Sequence, residues 1–68
     1  MSGEPQVERV LDMIEHFRSS CDWTGTAFFA EQFKCSQRTV ERDLFIVERR
    51  VPLESMGTGN KIRYRRLR

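Results

Sequence analysis

An α+β fold, three helices followed by a two-stranded β-hairpin, is what this sequence predicts, and three observations carry the prediction. Apolar residues recur at intervals of three and four from Val7 to Val47, the period of amphipathic helices. From Val51 onward the period becomes two: Val51, Leu53 and Ser55 alternate with Pro52 and Glu54, and Ile62 and Tyr64 alternate with Lys61, Arg63 and Arg65. Between those runs, Met56 to Asn60 (Met-Gly-Thr-Gly-Asn) supplies a loop. A chain of 68 residues has room for one domain, spanning 1–68, whose core is limited to about three helices and a small sheet.

The first helix is expected over about 5–18, with Pro5 at its opening turn and Val7, Val10, Leu11, Ile14 and Phe17 on one face. Ser19 to Asp22 form a polar connection. Thr24, Gly25 and Thr26 offer turn and capping chemistry before the second helix, 26–33, where Ala27, Phe29, Ala30 and Phe33 resume the helical pattern. Lys34 and Cys35 make a turn, Ser36 caps the third helix, and nothing from Gln37 to Arg49 breaks it, so it runs over 37–49. The hairpin occupies 51–67.

The charge is mildly basic overall, +2 with a pI near 8.8, but polarised along the chain. Glu4, Glu8, Asp12, Glu15 and Asp22 outnumber Arg9 and Arg18 before residue 23, whereas Lys61, Arg63, Arg65, Arg66 and Arg68 crowd the end with no acid among them. Such a balance permits a nucleic-acid partner. Cys21 and Cys35 have no CxxC spacing and, with one His16, do not make a structural zinc set; they read as reduced, structural thiols, with no metal or other cofactor expected. No apolar run reaches membrane-spanning length and Met1 to Pro5 lack the regions of a secretory signal, so the expected location is cytoplasmic. No nucleophile, base and orienter set appears, and Gly57-Thr58-Gly59 alone does not make a phosphate-cradling loop, so an enzyme is not expected.

The third helix carries the functional expectation. Val40, Leu44 and Val47 bury one stripe, and the opposite face presents Gln37, Arg38, Glu41 and Arg42. Arginine and glutamine make bidentate contacts to guanine and adenine edges in the major groove, and either can hold a phosphate instead. Lys61, Arg63 and Arg65 alternate along the hairpin and would neutralise phosphates.

These residues resemble the N-terminal winged helix-turn-helix of DeoR-type and WYL-domain bacterial transcription regulators. The resemblance rests on Phe29-Ala30-Glu31-Gln32-Phe33, on Ser36-x-Arg38-Thr39-Val40-x-Arg42-Asp43-Leu44, on Val51-Pro52-Leu53 and on Gly57-x-Gly59. It implies a sequence-specific double-stranded DNA-binding regulator with the third helix in the major groove and the wing on the backbone or minor groove. The helix contacts it implies are Ser36, Gln37, Arg38, Thr39 and Arg42. That family usually has glycine where Lys34 stands and another after the long helix, where this chain passes from Arg49-Arg50 into Val51; a non-glycine residue in a left-handed or tight backbone costs roughly 1 kcal/mol. Its members usually continue into a ligand-sensing or oligomerising domain, and no small-molecule effector site is evident in this chain.

The remaining residues have plainer readings. Asp43 pairs with Arg38, Arg42 or a neighbouring helix and stays away from DNA, since a carboxylate repels phosphate. Glu41 and His16 face solvent, Tyr64 joins the core beside Ile62, and Trp23 covers the core. Phe28 and Phe45 stand where the pattern expects polar side chains. They widen a small core or, as the competing reading, form a surface for a homodimer or another partner. The alternative function is accordingly a winged-helix protein-interaction module using Phe28 and Phe45.

Overall fold

Three helices and three short strands follow one another in the computed structural model, which describes residues 5–67, the side chain of Asn60 excepted. Glu4 of the acidic stretch and Arg68 of the basic tail lie outside the described residues. Helix α1 spans Gln6–Ser19 and begins directly after Pro5, whose carbonyl accepts from the Arg9 amide at 3.0 Å. A two-residue strand β1, Thr24–Gly25, leads into α2, Thr26–Phe33. Helix α3 covers Gln37–Glu48, strand β2 Leu53–Met56 and strand β3 Arg63–Arg66, with a 3-10 turn at Gly59–Lys61 before β3.

The sheet is antiparallel with β3 in the middle, so the expected two-stranded hairpin gains a third strand. Leu53 to Met56 pair with Arg66 to Arg63 in order, while Thr24 and Gly25 pair with Tyr64 and Arg63 from the other side. Alternation sends Tyr64 and Leu53 inward and leaves Arg63, Arg65 and Glu54 on the outer face. A two-residue strand carries too little periodicity to show in sequence.

The core unites Val10, Met13 and Phe17 of α1, Phe29 and Phe33 of α2, Val40, Leu44 and Val47 of α3, and Val51. Burying a side chain the size of Phe17 or Phe29 contributes about 1.5–3 kcal/mol. The inward face of α1 differs from the expected one: Met13 is fully buried, whereas Val7 and Leu11 are 69% and 58% exposed and Ile14 is half-buried. Inside, α1 is tied to α3 by Asp43, fully buried, which accepts from Arg9 Nε at 2.7 Å and from Gln6 Nε2 at 3.2 Å. Its partners are thus on the neighbouring helix, and neither Arg38 nor Arg42 is among them.

Of the two backbone positions that the family resemblance marked, one is left-handed and one is not. Lys34 adopts φ 59, ψ 45, which lets its own amide and that of Cys35 reach the Ala30 carbonyl and stop α2. The exit from α3 uses ordinary negative φ at Arg49 (φ −71, ψ −21), with the Arg50 and Val51 amides both closing on the Val47 carbonyl at 2.9 Å. No glycine is needed there.

Candidate nucleic-acid interface

Ser36 starts α3 as expected: its Oγ accepts from the Thr39 amide at 3.2 Å and lies 3.0 Å from Thr39 Oγ1, so the two hydroxyls partly satisfy each other. Beyond the cap, Arg38 and Arg42 are exposed and enter no ion pair among the described residues. Phe45 continues their stripe one turn further and is 72% exposed, so it does not widen the core. Spacings of i, i+4 and i+7 put Arg38, Arg42 and Phe45 on one outward face of the helix.

Gln37 sits differently from its neighbours. It is half-buried, and its Oε1 accepts from Thr26 Oγ1 at 3.2 Å. Thr26 itself is fully buried, and its amide donates to the Ile62 carbonyl at 3.2 Å. One residue therefore joins the first turn of α2 to the first turn of α3 and to the entry of β3. Sequence reasoning read Thr26 only as turn and capping chemistry; nothing in the local pattern signals a contact 36 residues away in the chain.

Lys61 and Arg63 are exposed beside that joint and line a cleft of about 340 Å³ with Gly25, Ala27 and Ile62. Through Thr26 the structure thus joins the first turn of α3, the helix that carries Arg38 and Arg42, to the segment that carries Lys61 and Arg63. Arg65, expected among the same contacts, is held elsewhere. It faces Glu54 across the sheet, and its Nε and Nη2 donate to Glu54 Oε2 at 3.0 and 2.8 Å, with the guanidinium 4.4 Å above the Trp23 ring. Trp23 accordingly serves as a platform for Arg65 on the outer face of the sheet, and it is absent from the core. Arg66, on the other face, donates to the Arg18 carbonyl at 3.1 Å and to Cys21 Sγ at 3.3 Å, closing the end of α1.

Several polar groups are less exposed than their sequence context suggested. His16 is half-buried, within 2.8 Å of Thr24 Oγ1, and its ring meets Phe17 and Phe29 edge-on at 5.4 and 5.3 Å. Glu41 is half-buried on the flank of α3 that faces the sheet. There, burial pushes the Tyr64 phenol above its usual value near 10, and the carboxylates of Glu48 and Glu41 push it the same way. Burial likewise raises the Cys35 thiol, against the pull of Arg9. Cys21 and Cys35 form no disulfide.

Phe28 is 51% exposed and packs its ring 5.5 Å from Phe29 and 6.0 Å from His16. Phe45 shares no ring contact with it among the described residues, so the two phenylalanines do not make one aromatic patch. Among the described residues, no three His, Cys, Asp or Glu side chains gather as a metal site, and no helix is long and apolar enough to cross a membrane.

No family model matches the chain, and neither a curated protein nor a solved structure is significantly similar to it.

Proposed function

We propose that this chain is a winged helix-turn-helix domain that binds double-stranded DNA in a sequence-specific manner and serves transcriptional regulation. The observation that carries the reading is the joint at Thr26, which ties the start of α3, the helix that bears the exposed Arg38 and Arg42, to the segment that bears the exposed Lys61 and Arg63. Helix α3 enters the major groove. Arg38 and Arg42 hydrogen-bond base edges, and Phe45 lies against a thymine methyl group. Ser36 and Thr39, at the groove wall, offer hydroxyls to the backbone, and the half-buried Gln37 sets the angle of the helix through Thr26. Lys61 and Arg63 neutralise phosphates beside the wing, a term that falls with salt.

Selection from a randomised duplex pool at two salt concentrations tests this. A motif that persists at the higher salt is the expected result. Arg38→Ala should lose about 1–3 kcal/mol of discrimination at one position of that motif, and replacing thymine by uracil in the recovered site should weaken the wild type more than Phe45→Ala. Binding that is purely salt-labile, with no motif, would refute sequence reading.

The exposure of Phe28 and Phe45 favours a second reading, a protein-interaction module. The lack of a ring contact between them among the described residues argues against a common binding patch, and absence of any DNA binding would turn the balance toward it.

A further inference from the structure

Helix α1 carries two stripes on its outward side. Val7 and Leu11 are 69% and 58% exposed, and Ile14, half-buried, continues their line at the i, i+4, i+7 spacing of one helical face. The residue after each of the three is an acid. Glu8, Asp12 and Glu15 are all exposed, and none enters an ion pair among the described residues. An apolar line about two turns long thus runs beside an acidic line in the same register. The apolar residues also border a groove of about 240 Å³ whose lining includes Arg50 of α3.

Spacing and charge together specify what fits. Contiguous exposed apolar surface marks an interaction site more often than scattered single residues do, and anchors at i, i+4 and i+7 are those by which an amphipathic helix is held. A carboxylate beside each anchor favours a cation at the matching place on the occupant and penalises an anion there, which is how charges flanking an apolar seam select a partner. Arg50 in the groove makes the opposite demand, so the occupant's cations belong on one flank only, over the acids of α1. A second copy of α1 does not supply them, because the positions before and after its own three anchors hold no lysine or arginine.

We infer that the outward face of α1 docks a helical segment of a different protein, one with apolar residues at i, i+4 and i+7 and a lysine or arginine beside each of them on a single flank. Val7, Leu11 and Ile14 receive the apolar residues, and Glu8, Asp12 and Glu15 pair with the cations. This contact does not rest on the DNA-binding reading.

Fluorescence anisotropy of labelled peptides titrated with the whole chain tests the inference. The probes are alanine- and glutamine-based peptides of about 20 residues, long enough to hold a helix. Each has leucine at i, i+4 and i+7 and lysine either before or after every leucine, which covers parallel and antiparallel approach. One lysine peptide should bind about tenfold or more tightly than its glutamate counterpart. Leu11→Arg should weaken that binding about tenfold with circular dichroism unchanged, since Leu11 is more than half exposed; Leu11→Gln serves if the arginine variant does not fold. The triple variant Glu8→Lys/Asp12→Lys/Glu15→Lys should reverse the preference toward the glutamate peptide. Equal binding of lysine and glutamate peptides, equal binding once the leucines are replaced by glutamine, or no binding at all would each overturn the proposal. So would a wild-type dimer in sedimentation velocity that Leu11→Arg dissociates, because the face would then belong to a second copy.

Discussion

At Lys34 the chain accepts a left-handed backbone on a residue with a Cβ, because the turn between α2 and α3 leaves no other way for the Lys34 and Cys35 amides to reach Ala30. Lys34→Gly should therefore raise the unfolding free energy in urea by about 0.5–1 kcal/mol, relief of left-handed strain outweighing the greater chain entropy of glycine. The arginines of β3 divide in a comparable way. Arg63 is exposed beside the cleft, whereas Arg65 is occupied by Glu54 and Trp23. Under the proposed DNA-binding function, Arg63→Ala should weaken binding to all duplexes alike and reduce the salt slope by about one, with stability unchanged. Arg65→Ala should lower stability by no more than about 1 kcal/mol, as its ion pair is largely solvated, and leave the salt slope where it was. Titrations at three salt concentrations distinguish the two. Composition made the cations of the hairpin visible. Which of them is engaged depends on the register that sets Arg65 opposite Glu54, and register is fixed only when the strands pair.

Among the elements, the helices were the most legible: a 3.6-residue period, a proline at one start and a capping serine at another mark their bounds within a residue or so. The rotation of α1 was less so. Val7, Leu11 and Ile14 are as apolar as Val10 and Phe17, and only packing against α3 selects the Val10–Met13–Phe17 face as the inner one. The turn between β2 and β3 depends on a further backbone constraint. Gly57 has φ +94, and a Cβ there would lie 2.7 Å from the Lys61 carbonyl oxygen, so the turn closes only on glycine. Gly57→Ala should shift the 3-10 turn that carries Lys61 and cost about 1–3 kcal/mol by thermal or urea unfolding; under the proposed function it should also weaken DNA binding through the hairpin and leave the base preference proposed for α3 as it was. Altered preference with unchanged affinity would contradict the proposed division of labour between the two elements.

For the molecule as a whole, alkaline pH gives a test of how α3 and the sheet pack. The Tyr64 phenol titrates above its usual value near 10 in the folded chain. As pH passes that value the unfolded chain loses its proton first, so the folded state binds the greater number of protons and stability falls as pH rises. Above neutral pH the unfolding free energy should begin to decline near the usual thiol value, where the raised Cys35 contributes, and decline further above the usual tyrosine value, and Tyr64→Phe should remove the further part; an unchanged slope would mean that Tyr64 is not held between the sheet and the carboxylates of Glu41 and Glu48. None of this was legible beforehand, since residues 41, 48 and 64 meet only through the folded topology. The same is true of Thr26, whose two bonds make the starts of α2, α3 and β3 one unit.

The central position of β3 also bears on how the molecule is made. Both β1 and β2 pair with β3 and not with each other, and both precede it in the chain. During synthesis the three helices can collapse while two strands still present open edges. β3, which leaves the ribosome after its two neighbours, then closes both at once, and through Arg66 it secures the end of the first helix in the same step. A message cut short by even a few codons before that strand would yield a helical cluster with no sheet, a natural substrate for proteolysis and not a partly working protein.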